Sequence, residues 1–562
     1  MPRLLTTPTK LYGLVAAAAA VAAVAVPMAL TAAPASASTN QISIIQEPGM
    51  LDNPGTFIPI ARSLGATTER MFIQWATVAP SPNATKQPNF NASDPNAYPA
   101  RNWAIYDQAI AAAQKAGITV DLEVTGGSPR WASGKNYPKG STSCWQHDVS
   151  YCAWMPNATM YGQFVHAVTE RYDGHFTPTG ASTALPAVHF WSFWNEPNFG
   201  QDLGPQATNG STVPYAPQAY RALLAAGWKA LQQTQPGVRN TTLVGELAAT
   251  GYPLHATGHP GSLPGNGAIY LSLDFMRAVY CLSPNYQKLT GSTAKLYGCP
   301  TTAAASSKFR SQNPGLFTAT GFAIHAYDSK QTPNANPSAI NPSYATFPVL
   351  KRVEAALDKA THAYGSGKHF PIYNDEYGYI TSPPAPKGKG DPSQATAAAE
   401  LNQAEYISYK DPRIAAYGQY LINDPVPSAQ QTGGGFASGL YTSKGKPKAT
   451  LAAYRLPVWL PKTTVSSGQS VEIWGGARPS VLSPSGARTV SIQMQKGGHG
   501  SWMTIQTVNV AKRTGDFDIH SKLPYSGNLR LAYTYPNSET LLPPNVAGST
   551  IVGRTVKVAV SG

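Results

Sequence analysis

Charge is scarce in this chain. Asp, Glu, Lys and Arg make up 12% of its 562 residues, with 28 acidic side chains against 42 basic ones. The formal charge of +14 thus reflects missing acids rather than clustered bases. The basic stripe with interleaved aromatics that marks a nucleic-acid binder is lacking, so nucleic acid is not an expected partner. Retention on an anionic envelope or acidic polysaccharide competes with a plain, weakly charged exported protein, and the plainer reading is preferred. Cysteine is rarer still, at four residues, and no CxxC or HxxxH spacing accompanies them, which argues against a metal site. No metal or other cofactor is expected. Beyond residue 30 no apolar run reaches the 18 residues that a membrane helix needs, so no transmembrane segment is expected. Nucleophilic serine chemistry lacks its G-x-S-x-G elbow, because Gly261-Ser262 has no second glycine in place.

The long apolar stretch that does exist lies at the front. Arg3 and Lys10 precede Leu11 to Leu30, nearly all Ala, Val and Leu, and Ala35-Ser36-Ala37 follows as an A-x-A cleavage site. Residues 1–37 read as a secretory signal peptide, and the mature protein is expected to be extracellular. Its removal takes two positive charges and leaves +12. Export favours disulfides. Four cysteines allow three connectivities, and the short separations favour Cys144–Cys152 and Cys281–Cys299.

Between residues 38 and 460 strand-like and helix-like segments alternate. Strands are expected over Ile42–Gln46, Thr67–Trp75, Ile118–Val124, Val188–Trp194, Thr242–Leu247, Thr320–Tyr327, Phe370–Glu376 and Ile414–Leu421. Amphipathic or Ala-rich helices lie between them, and Ala449–Arg455 closes the series. Eight repeats of this order predict a parallel (β/α)8 barrel, a TIM barrel of the α/β class. An open doubly wound sheet is the rival, but no glycine-rich phosphate loop follows the first strand. The surplus length falls in loops after strands (126–158, 198–214, 248–270, 328–345 and 377–393), which should wall the active face. Residues 283–318 follow a helix and should lie at the other end or on the side. From Leu460-Pro461 onward, short alternating strands such as SVEIW, TVSIQMQ and LRLAYTY replace the helices. Residues 461–562 are expected to form an immunoglobulin-like β-sandwich, an accessory module. Trp474, Trp502 and Tyr533 are its candidates for a sugar contact, beside the preferred reading of a structural role.

The chain is organised around VHFWSFWNEPN, residues 188–198. A continuous apolar, aromatic run reads as a strand buried on both faces, and Glu196 sits at its C-terminal tip, where barrel enzymes place catalytic groups. The seventh strand ends in YNDEYGY, residues 373–379. Asp375 and Glu376 are adjacent, so in a regular strand one of them alone points to the barrel axis. Two carboxylates at strand tips suit glycosidic bond cleavage, in which one protonates the leaving oxygen and the other attacks or activates water.

WNEPN on the fourth strand and Glu376-Tyr377-Gly378 on the seventh resemble the largest clan of retaining glycoside hydrolases, clan A, nearest in look to families 39 and 5. The resemblance covers roughly residues 41–456. It implies Glu196 as acid/base, Glu376 as nucleophile and Asn195 as the amide meeting the sugar 2-hydroxyl. Arg70 would hold the nucleophile ionised, and His325 and Tyr327 would line the sugar site. Where the clan often carries a strand-eight Trp, this chain has Gln419-Tyr420, and Asp375 stands where a small residue is usual. From the residues themselves, Trp75, Trp131, Trp145, Trp154 and Phe199 near strand tips are candidate sugar platforms, with Trp75 and Trp131 ranked as substrate-binding. Asp121, Glu123 and Glu246 read as interior carboxylates paired with arginine rather than as catalysts.

The sequence thus predicts a secreted retaining glycosidase whose partner is an oligo- or polysaccharide. An exo-acting, arabinosidase- or xylosidase-like enzyme is weighed against an endo-glucanase and a non-catalytic sugar-binding barrel. Sugar, anomer, linkage and oligomeric state are not legible.

Overall fold

In the computed structural model, residues 40–135, 151–208, 212–254, 268–328, 330–426, 435–479, 488–510, 514–538, 542 and 546–561 are described. The signal-peptide reading, Cys144 with its expected bridge to Cys152, Trp145 and Gly261-Ser262 fall outside these residues.

Eight parallel strands close into a barrel in chain order: β1 (Ile42–Gln46), β2 (Thr68–Gln74), β3 (Thr119–Thr125), β4 (Phe190–Phe193), β5 (Thr241–Ala248), β6 (Gly321–His325), β7 (Ile372–Asn374) and β8 (Ile414–Tyr420). β1 pairs with β8 over five residues, which seals the ring. The main helices are α1 (Pro54–Ser63), α2 (Ala100–Lys115), α3 (Ala158–Arg171), α4 (Ala216–Thr234), α5 (Ser272–Val279), α6 (Leu350–His362), α7 (Gln394–Lys410) and α8 (Ala449–Arg455). Their starts are chemically marked. Asn53, Asn157 and Ser393 cap α1, α3 and α7 by accepting a backbone N–H, and Pro54 opens α1 with the φ a first turn needs. α6 begins only at Leu350, after Pro348 in a 3-10 turn over Phe347–Val349.

The two strands that carry the glutamates are shorter than the apolar runs suggest. β4 stops at Phe193 because the backbone turns left-handed at Trp194, with φ +71°, and again at Glu196, with φ +35°. β7 covers only Ile372–Asn374, after Pro371, which has no N–H to give a ladder. Beyond it, Gly418 of β8 lets the Asp375 backbone come close, since a Cβ there would meet the Asp375 carbonyl oxygen at 2.4 Å.

Residues 283–318 pack outside the ring against α4, as their place after a helix predicts. Arg221 of α4 donates to the carbonyls of Tyr297 and Gly298, and the Cys281–Cys299 disulfide ties this segment to the end of α5. Among the described residues no helix is long and apolar enough to cross a membrane.

C-terminal to α8 come β9 (Val458–Trp459), β10 (Thr464–Ser466), β11 (Ser470–Gly476), β12 (Arg488–Lys496), β13 (Met503–Val510), β14 (Asp516–Lys522), β15 (Gly527–Thr534), β16 (Thr550–Val552) and β17 (Val556–Ser561). They form a three-stranded sheet, β9-β11-β14, and a six-stranded sheet, β10-β17-β15-β12-β13, with β16 on β15. Alternate residues of both sheets, Val471, Ile473 and Phe517 facing Ile492, Met494 and Leu531, build one apolar core. The smaller sheet lies against α7. Lys410 bridges Glu472 and Asp518 at 3.2 and 3.1 Å, and Trp474 packs on Tyr406 and Tyr409. Arg478 and Glu405 form a buried pair at the same junction. Trp474 is thereby fully buried and Tyr533 belongs to the core, so neither offers a sugar a face.

Candidate active site

Arg70, from the middle of β2, is the centre of the charged interior. Its Nη1 donates to Glu376 Oε2 at 2.7 Å and to Gln46 Oε1 at 2.5 Å. Its Nη2 reaches Glu246 at 2.9 Å, Asn195 Oδ1 at 3.0 Å and Glu123, while Nε faces Asp375 at 3.5 Å. Side chains from five other strands or their ends thus converge on one guanidinium, whose planar fork suits several carboxylates at once. Burial pushes the carboxyls of Glu123, Asp121 and Asp375 well up, toward the neutral acid. Burial would raise Glu246 too, but Arg70, with His325 and a Ser192 hydroxyl, holds it at about 2.

His325, the last residue of β6, is fully buried between the two candidate catalytic groups and Glu246. Nδ1 lies 2.8 Å from Glu196 Oε1, and Nε2 lies 3.2 Å from Glu246 Oε2. Burial would push the imidazole down, yet Glu376, Glu196 and Glu246 outweigh both burial and Arg70 and hold it well above the ordinary histidine range. Nε2 also lies 3.0 Å from Arg70 Nη2.

Glu196 and Glu376 follow β4 and β7 and are the partly exposed members of the cluster. One oxygen of each and a His325 nitrogen all lie within 4.8 Å of one another. Tyr327 donates to Glu376 Oε1 at 3.0 Å, so donors meet both oxygens of that carboxylate. Burial and Glu376 keep the Tyr327 hydroxyl protonated. Two trios have the composition of a metal site, Glu196-His325-Glu376 and Glu246-His325-Asp375. The guanidinium of Arg70 already supplies the positive charge beside Glu246, Asp375 and Glu376.

Above these groups a cavity of about 490 Å³ opens at the C-terminal ends of the strands. Asn195, Glu196, Tyr327 and Glu376 line it, with Phe199, Asp328, Tyr420 and Phe436 around them. Four of the five loops expected to wall this face contribute. Among its described residues the fifth, 126–158, brings none to the wall, and its Trp131 accounts for one correction. Trp75 is fully buried and Trp131 nearly so, packed edge-to-face at 5.9 Å, with Trp75 also stacked on Phe164. Both belong to the shell under α3, outside the cavity, because the chain turns straight into a short helix at Trp75. Trp154 likewise lies outside the cavity wall. A second correction concerns Asp375 and Glu376. Both face Arg70, because β7 ends at Asn374 and strand alternation does not extend to them.

Sequence reasoning passed over Asp202, whose carboxylate takes Asn195 Nδ2 at 3.3 Å and which burial and Glu196 push well up. It also passed over Asp328, which receives the Tyr377 and Tyr379 hydroxyls. Asp328 directly follows the His-Ala-Tyr segment, and that adjacency was the available signal. Phe436 sits in a glycine-rich stretch with no periodicity to mark it.

Fold and site together define a closed eight-stranded parallel barrel with a carboxylate-lined cavity at the C-terminal ends of its strands. No protein-family profile matches the chain, and no curated protein does. Among solved structures it is similar to a glucosidase from Croceicoccus marinus (12% identity, TM-score 0.44, 87% of this chain and 95% of that one). It is also similar to a β-glucosidase from Thermotoga maritima in complex with castanospermine (12%, 0.41, 74% and 95%). A third is an exo-β-1,4-mannosidase from Opitutaceae bacterium strain TAV5 (13%, 0.36, 74% and 58%). The case for a reaction rests on the side chains.

Proposed function

We propose that this chain is a secreted retaining glycoside hydrolase. One observation carries the reading: Glu196 and Glu376 face the same cavity with carboxylate oxygens within 4.8 Å. Retention requires carboxyl groups about 5–5.5 Å apart, whereas inversion leaves room for a water at about 6.5–9.5 Å. Glu376 attacks the anomeric carbon, and Arg70 and Tyr327 hold its two oxygens in place. Glu196 protonates the leaving oxygen and afterwards, as a base, activates water to release the glycosyl-enzyme. Asn195 gives its carbonyl to Arg70 and one N–H to Asp202, so its second N–H is left for a sugar hydroxyl. Tyr420 and Phe436, packed edge-to-face at 5.4 Å, take the place of the missing strand-eight tryptophan as the apolar wall.

The division into leader, barrel and immunoglobulin-like module, at residues 37 and 460, belongs to the same proposal, as do export and carbohydrate as the partner. The Cys281–Cys299 disulfide suits an oxidising compartment.

The test is a panel of aryl glycosides (arabinofuranoside, xyloside, galactoside, glucoside and mannoside), with the first-formed anomer followed by proton NMR. Turnover that keeps the substrate's anomeric configuration is expected. Inverted product, or no turnover alongside sugar binding, would overturn the reading. Product sizes from a polymer digest then separate exo- from endo-action.

A further inference from the structure

The six-stranded sheet has an inner face that covers the core and an outer face whose side chains are partly or fully exposed. That outer face is not a random polar surface. From β12 it presents Gln493 and Gln495, from β15 Asn528 and Arg530, and from β17 Lys557, all partly or fully exposed. Asn528 stands opposite Gln495 on one side and Lys557 on the other, so these three form a row across adjacent strands about 4.8 Å apart. Arg530 and Gln493 form the next row.

The side chains hold one another. Arg530 Nε donates to Gln493 Oε1 at 3.0 Å, Asn528 Nδ2 donates to Gln495 Oε1 at 3.1 Å, and Gln495 Nε2 donates to the Gly500 carbonyl at 2.8 Å. The Arg530 guanidinium carbon lies over the Trp502 ring, 4.0 Å from its centroid. These contacts use Nε, so the terminal guanidinium nitrogens keep their donors for a ligand.

Charge is one-sided here. Residues 461–562 hold ten basic side chains against four acidic ones. Glu472 and Asp518 are spent on Lys410 at the barrel junction, and Asp516 is buried. Among the described residues, the outer face has Arg530 and Lys557 and no acid.

We propose that this face binds a carboxylate-bearing polysaccharide, a polyuronate, and holds the enzyme on it. The Arg530 guanidinium fits a carboxylate through two parallel donors. The amide ladder supplies the paired donors and acceptors that ring hydroxyls require. A phosphate polymer with few hydroxyls would leave that ladder unused. The site lies on a different sheet from the catalytic cavity, so binding is read independently of turnover.

The test measures binding of the full-length protein to polygalacturonate by isothermal titration, with neutral galactan and poly(glycerol phosphate) as the other arms. Polygalacturonate is expected to bind at least tenfold more tightly than either, with affinity falling as salt rises. Arg530→Gln and Lys557→Gln should each lose at least fivefold, with aryl-glycoside turnover and melting temperature unchanged. Equal binding to galactan, tighter binding to poly(glycerol phosphate), or wild-type affinity in Arg530→Gln would each overturn the proposal.

Discussion

Two successive layers inside the same barrel are built on opposite principles. Near the N-terminal ends of the strands, Ile44, Phe190, Leu243, Ala323, Tyr373 and Ala416 make a small apolar plug. Two residues further along, the same strands present Gln46, Ser192, His325 and Gly418, β2 and β3 add Arg70 and Glu123, and Asp375 follows just past the end of β7. On β5 a register shift between Val244 and Leu247 delivers Glu246 instead of Gly245. The lower layer excludes water by filling volume. The upper one is as deeply buried, yet it is held by one arginine and one histidine shared among carboxylates. A buried ionic cluster of this kind is often no more stable than an apolar filling, so its presence marks a site rather than a brace.

Substitutions in the two layers should therefore part company. Arg70→Met leaves Glu123, Glu246 and Asp375 without their cation. It should cost about 3–5 kcal/mol of stability and, in whatever folds, abolish turnover. Phe190→Ala should cost about as much, roughly 3–5 kcal/mol, while the folded fraction keeps its kcat. Denaturant melts paired with active-site titration check both, and a matching loss of kcat in Phe190→Ala would erase the distinction between the layers. A smaller effect is expected from Tyr327→Phe, which removes one donor from Glu376. kcat should drop about 10–100-fold with little change in melting temperature.

The smallest effect concerns the rim. Burial lifts Asp328 to about 6 from an ordinary 3.8, although the Tyr379 and Tyr377 hydroxyls oppose this. The folded state therefore holds its proton more tightly than the unfolded chain. Its contribution is complete below pH 3.8 and is lost as pH rises through about 6. Relative to Asp328→Asn, the wild type should lose roughly 1–3 kcal/mol across that window, read from melts at a series of pH values. A flat difference would show that Asp328 titrates alike in both states.

The barrel was legible because hydrophobic periodicity marks strands wherever they sit, and β1 and α8 were read to the residue. The two glutamates were legible because a charge at the end of an apolar run has few structural motives. The rest failed where local rules yield to tertiary contact. Asp375 looked excluded by strand alternation, but the strand ends before it. Trp75 looked like a platform from its place at a strand tip, but the following short helix turns it into the shell beside Phe164. Asp202 and Phe436 lie on loops, whose shape no period encodes.

The division of labour between Glu196 and Glu376 is tested most directly by azide trapping on a dinitrophenyl glycoside. Glu196→Ala should still form the glycosyl-enzyme, since a good leaving group needs little proton. It should then stall with a burst, and azide should release it as a glycosyl azide of unchanged anomeric configuration. Glu376→Ala should lose about four or more orders of magnitude in kcat with every leaving group. Azide entering from the vacated side should give the inverted product. The opposite pattern would exchange the two roles, and full turnover in both variants would contradict a glycosidase at this site.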